Sequence, residues 1–204
     1  MTDLATLGSL NLEFVIKEDK SILASIGQVP LSEWRDVDAS EYARYGSIFA
    51  LSSNFILAHG AAVAVSQGPA LSNPISEDLA ILSVLGKRQE GRVLGPVLFG
   101  LKRLVPVPEY SLRALDLYAN IHIDNDYLLA KEYCDFFGNY GLSADFLNSA
   151  IAERLLANLV EVEKLDRDSF GGLVARTFRL APLTFVKFFE KRIRRRLSLA
   201  WIIH

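Results

Sequence analysis

The sequence predicts a mainly α protein: a compact, helical bundle-like domain with a short N-terminal β-hairpin. Three observations carry that expectation. Apolar residues recur at helical spacing from about residue 38 to the end, with period-two alternation confined to the first thirty residues. Glycine and proline, at Gly68-Pro69, Gly86, Pro106 and Pro108, cut the helical part into segments of globular length. Half of the 204 residues are hydrophobic and 23% are charged, which is enough apolar material to bury a core.

Taken in order, Leu10, Leu12, Phe14 and Ile16 alternate with polar residues in LNLEFVIK, the pattern of a half-buried strand. The polar turn Glu18-Asp19-Lys20 follows, and Ser21–Ile26 leads to Gly27, so residues 10–27 read as a β-hairpin. Pro30 and the acidic stretch Glu33–Glu41 form the connection. Asp38 or Ser40 caps a long helix running to about Gln67. Ser76 caps the next, with Glu77 and Asp78 in its first turn, Leu79, Leu82 and Leu85 on its apolar side, and Gly86 as its stop. Pro96 suits the first position of a helix carrying Val97, Leu98, Leu101 and Leu104.

Further stripes follow: Leu112, Leu115, Tyr118 and Ala119, then Leu129, Tyr133, Phe136, Phe137 and Tyr140. A helix beginning at Ser143 aligns Leu147, Ile151, Leu155, Leu159 and Val162. The last helix starts near Pro182 and continues through 182–204, with Val186, Phe189, Ile193, Leu197 and Ala200 as the stripe expected to face the core. No internal repeat, low-complexity run or linker is evident, so residues 1–204 are expected to form a single domain.

No Asp, Glu, Lys or Arg lies between Arg44 and Glu77. Gly46–Gln67 is thus long enough to span a bilayer, but Ser52, Ser53, Asn54 and His59 interrupt it. Tyr45, Ser52, His59 and Ser66 recur every seven residues. That spacing describes one polar seam on a central core helix, with His59 buried, neutral and bonded to a Ser or Tyr of a neighbouring helix.

Catalytic signatures are missing: no G-x-S-x-G elbow, phosphate-binding loop or dinucleotide fingerprint occurs, so no catalytic residue and no cofactor is assigned. The single cysteine, Cys134, excludes an internal disulfide and is expected to be a buried thiol in a reducing compartment. The start, MTDLATLGSL, has no basic segment before an apolar run, so no secretory signal is read and a cytoplasmic location is expected. In His122-Ile-Asp124-Asn-Asp126, alternate side chains of an extended loop share a side, which is how a cation site or a metal-dependent enzyme would be built. The simpler expectation is that Asp124 or Asp126 caps the helix beginning near Tyr127 and that no metal is held.

The strongest functional signal is electrostatic. The net charge is −2, yet Arg167–His204 holds nine Lys/Arg against two Asp/Glu, a balance of +7 that leaves −9 for the preceding residues. Lys187, Lys191, Arg192, Arg194, Arg195 and Arg196 crowd into ten residues with Glu190 the sole acid. These six are the candidate binding residues for an anionic partner: RNA, DNA, a lipid headgroup or an acidic protein surface. The first reading is therefore a non-enzymatic interaction or assembly protein acting through its basic C-terminal helix, itself compatible with homo-oligomer formation. Second comes a membrane-associated protein using helix 46–67, the basic helix, or both; third comes an enzyme around His122, Asp124 and Asp126. A packed helix whose charges pair with Glu161 and Glu163 is the competing structural account.

Overall fold

The structure is a computed structural model and describes residues 31–67, 70, 73–124, 126–139, 148–165 and 167–202. The chain is mainly helical, and no strand occurs among the described residues. The β-hairpin expected at 10–27 lies outside them. The helices are α1 (Ala39–Leu51), α2 (Phe55–Ala64), α3 (Ser76–Leu85), α4 (Gly91–Leu104), α5 (Ser111–Asn120), α6 (Tyr127–Asn139), α7 (Ser149–Ala157), α8 (Arg167–Leu180) and α9 (Pro182–Ile202). Two compact units result, divided between Tyr118 and Ala119.

In the first unit α1 packs on α2 and α3, α2 on α3 and α4, and α3 on α4. Asp38 caps α1, its carboxylate accepting the backbone N–H groups of Ser40 and Glu41 at 3.0 Å each. The long helix expected to reach Gln67 is two helices. Ser52 leaves helical geometry at ψ 137°, its Oγ accepts the Asn54 N–H at 3.1 Å, and Asn54 caps α2 by accepting the Ile56 N–H at 3.0 Å. Short polar side chains that compete for backbone hydrogen bonds thus break the helix, where the spacing suggested a seam along one face. Arg88 closes the end of α1, donating from one guanidinium nitrogen to the carbonyls of Ala50 at 2.9 Å and Ser52 at 2.8 Å.

α2 is encased, with Ile56, Leu57, Ala58, Gly60, Ala61, Ala62, Val63 and Ala64 all buried. Ten residues rise only about 15 Å, half of an apolar bilayer core. Among the described residues no helix is long and apolar enough to cross a membrane.

Two other helix starts differ from expectation. α3 begins at Ser76 itself, and the N-terminal bond is made by Asp78, whose carboxylate accepts the Ile75 N–H at 2.9 Å. α4 begins at Gly91, placing Pro96 inside the helix, and its buried stripe opens earlier with Val93 and Leu94. A proline at that position cannot donate to the carbonyl of Arg92. That carbonyl is taken instead by His59 Nδ1 at 3.0 Å. Because a carbonyl only accepts, Nδ1 carries the proton, so the histidine serves a backbone carbonyl and not the Ser or Tyr expected from sequence.

Asp78, 1% exposed, is the polar centre of the first unit. Arg35 grips both carboxylate oxygens through one guanidinium edge, Nε at 3.1 Å and Nη2 at 2.7 Å, and Tyr42 donates its hydroxyl at 2.8 Å. Arg35 also donates to the Asn73 carbonyl at 2.5 Å. Burial, followed by the Asp78 charge, raises the Tyr42 pKa far above its ordinary value, so the phenol stays a donor. The segment 31–35, α1 and α3 meet at this carboxylate. Gly46 of α1 sits against Ile81 of α3 so closely that an added Cβ would fall 2.3 Å from Ile81 Cδ1.

Of the stripe expected on α5, Leu115, Tyr118 and Ala119 are buried, but Leu112 is 65% exposed. In the second unit α8 packs on α6, α7 and α9, and α7 packs on α9. Leu129, Tyr133, Phe136 and Cys134 of α6 are buried. The described start of α7 is capped by Asn148, whose side chain accepts the Ile151 N–H at 2.9 Å; Ser143 lies outside the described residues. Asn158 ties this unit together, donating to the Ala119 carbonyl at 2.7 Å and the Tyr133 hydroxyl at 3.2 Å.

Two stability outcomes are expected. Asp78→Ala strands a buried guanidinium and should cost about 3–5 kcal/mol in urea unfolding, whereas Tyr42→Phe removes one donor and should cost about 1–2 kcal/mol. His59→Ala should cost about 1 kcal/mol in the parent and less in a Pro96→Ala background, where the new N–H reaches Arg92 O. Equal costs in the two backgrounds would show that the histidine does not serve that carbonyl.

Candidate functional site

The basic helix is present as expected, spanning Pro182–Ile202, but it is rotated relative to the orientation read from sequence. Val186, Phe189, Ile193 and Leu197 were expected to face the core. They are 58%, 38%, 57% and 56% exposed, and Leu183 joins them at 77%. The inward face is made by Ala181, 7% exposed just before the helix, and Phe188 at 3%, with Arg192 and Arg195 half-buried one and two turns on. That spacing of three and four is also helical, so the sequence contained two competing stripes.

Arginine decides between them. α7 ends at Ala157, and the turn after it presents a run of carbonyls that no helix satisfies. Arg192 donates from one nitrogen to the carbonyls of Leu159 and Val162 at 2.6 Å each, and from its other to Glu163 O at 3.3 Å. Arg195 donates to the carbonyls of Glu161 and Val160 and pairs with the Glu161 carboxylate at 3.2 Å. Arg196 reaches Glu163 O at 3.5 Å. Burial, and then the neighbouring Arg196 and Arg195 charges, lowers the Arg192 pKa from its usual value. A guanidinium suits this position because its planar donors engage several oxygens at once. Sequence reasoning foresaw pairing with Glu161, but not the backbone cage, because carbonyl positions leave no mark in residue identities.

The remaining candidates point outward. Lys187, Lys191, Arg194 and Arg196 are exposed, and Arg194 pairs with Glu190 one turn earlier at 2.5 Å. At 100° per residue, Lys187, Lys191 and Arg194 line one edge of the apolar stripe and Arg196 the other. Edge-to-face rings lock the corner leading into this face: Phe178 on Phe185 at 5.4 Å, Phe185 on Phe189 at 4.8 Å, and Phe188 on Phe189 at 5.3 Å. Phe178 is itself 52% exposed. The outward face is therefore a rigid apolar ridge with cationic margins.

The second sequence candidate does not converge on one point. His122 Nε2 and Asp124 Oδ1 lie 3.0 Å apart on the surface, while Asp126 turns to α6 and accepts the Leu129 N–H at 3.0 Å as its cap. Among the described residues no three His, Cys, Asp or Glu side chains are grouped to hold a metal ion.

The two classes of arginine should separate in unfolding experiments. Arg192→Gln removes charged donors from part-buried carbonyls and should lower stability by about 1.5–3 kcal/mol, whereas Arg194→Gln should stay within about 0.5 kcal/mol of the parent. Equal losses would mean that the carbonyl cage does not anchor α9. No family model matches the chain, and the comparisons with curated proteins and with solved structures return no match.

Proposed function

We propose that this chain is an interaction or assembly protein that docks an anionic partner on the outward face of α9, with no chemical step of its own. One observation supports this above all: Leu183, Val186, Phe189, Ile193 and Leu197 are exposed in a continuous row beside exposed Lys187, Lys191 and Arg194. Scattered exposed apolar residues are ordinary, but a contiguous row with a polar margin marks a contact surface. The contact set is narrower than the six cations read from sequence. Arg192 and Arg195 serve as anchors that set the rotation of α9, and Lys187, Lys191, Arg194 and Arg196 remain to meet the partner.

The reading predicts salt-sensitive binding to at least one anionic probe among single-stranded RNA, duplex DNA, polyglutamate and phosphatidylserine vesicles. Binding should weaken steeply from low to physiological salt as charge contacts are screened. The triple variant Lys187→Gln, Lys191→Gln, Arg194→Gln should lower affinity by about tenfold or more, with an unchanged circular dichroism spectrum and melting temperature. Failure of the parent chain to bind any of the four at low salt, or binding that the triple variant retains in full, would overturn it.

A further inference from the structure

A partner of α9 must satisfy two demands at once. It must accept cations at the margins, and it must bury aliphatic side chains at the centre. Leu183 to Leu197 is a ridge about 21 Å long with Val186, Phe189 and Ile193 between. The described residues lining its shallow depression, among them Phe185, Glu190 and Ile193, all belong to α9. Among the described residues the surface is formed by one helix. A groove that would hold a partner helix needs a second wall. Phosphates of RNA or DNA would meet Lys187 and Lys191 but leave the aliphatic row in water. A second copy packed ridge to ridge would bring cationic margins against cationic margins, which disfavours self-pairing.

A plane with anionic headgroups above an apolar interior meets both demands. Resting on the reading that α9 docks an anionic partner, we propose that this partner is an anionic phospholipid surface. α9 lies along the bilayer with Leu183, Val186, Phe189, Ile193 and Leu197 at the acyl boundary. Lys187, Lys191 and Arg194 reach the phosphates from one margin and Arg196 from the other, their alkyl stems lying along the apolar side chains. Glu190 is the one element that opposes this contact, and Arg194 partly neutralises it. The carbonyl cage on Arg192 and the ring contacts of Phe185 and Phe188 hold the helix in this rotation before any surface is met, so little ordering is lost on binding.

The test is cosedimentation of the full chain with phosphatidylcholine vesicles, with and without phosphatidylserine, alongside a polyglutamate binding titration and sedimentation velocity of the protein alone. The chain should pellet with the phosphatidylserine vesicles and remain in solution with phosphatidylcholine alone. Each cation removed from the Lys187, Lys191, Arg194 margin should weaken partitioning about fivefold. The apolar variant Val186→Ser, Ile193→Ser, Leu197→Ser should lose more than about tenfold. Glu190→Gln should strengthen partitioning. Because all these side chains are exposed, the variants should keep the parent's circular dichroism spectrum and melting temperature. Absence of vesicle binding together with charge-dependent polyglutamate or RNA binding overturns the membrane assignment and leaves the anionic-partner reading standing. Absence of binding to every anionic probe overturns both. A stable dimer that the apolar variant dissolves, without vesicle binding by the parent, assigns the ridge to a second copy and overturns the membrane assignment.

Discussion

A peptide carbonyl without a donor is expensive in a protein interior, and a protein made of short helices accumulates them, because every helix end leaves several. This chain meets that constraint with side chains carried in from elsewhere. Arg88 closes the end of α1 on Ala50 and Ser52. His59 takes the Arg92 carbonyl that Pro96 leaves open. Arg35 holds the Asn73 carbonyl while it grips Asp78. Arg192 and Arg195 enclose the turn after α7. Each of these groups reaches its carbonyl from a different segment of the chain, so the contacts fix relative placement as well as hydrogen-bond balance.

The consequence is largest for α9. A helix with two apolar stripes has two ways to dock, and hydrophobic burial alone would favour the side with Val186, Phe189, Ile193 and Leu197. The observed rotation buries Phe188 and brings Arg192 and Arg195 to the carbonyls of 159–163. In this rotation the carbonyls of 159–163 receive charged donors, each hydrogen bond to a charged group contributing about 1.5–3 kcal/mol, while the aliphatic row stays exposed. The exposed ridge is therefore the complement of the carbonyl cage: turning the arginines inward turns the aliphatic row outward.

The Asp78 centre works by the same logic with a full charge. Arg35, Tyr42 and the Ile75 N–H supply four donors to one carboxylate, which compensates its removal from water. It ties together three segments, 31–35, α1 and α3, that apolar packing alone would not hold in one register. Close approach at Gly46 and Ile81 completes that contact.

The sequence by itself determined the helical class, most helix locations and the buried stripes Leu79, Leu82 and Leu85 of α3, Val97, Leu98, Leu101 and Leu104 of α4, and Leu129, Tyr133 and Phe136 of α6, because period and punctuation act locally and strongly. Asp38 capping α1, Gly86 ending α3, Asp126 capping α6 and Pro182 opening α9 were legible for the same reason. The break at Ser52–Asn54 was visible as polar residues, but their seven-residue spacing fitted a continuous seam equally well. The run of six cations in α9 was legible as a candidate contact, yet their division into anchors and exposed margins was not. Tertiary structure decided that division, as it decided the partners of His59 and Asp78. The deciding acceptors were backbone carbonyls and distant side chains, whose positions exist only once the chain has folded.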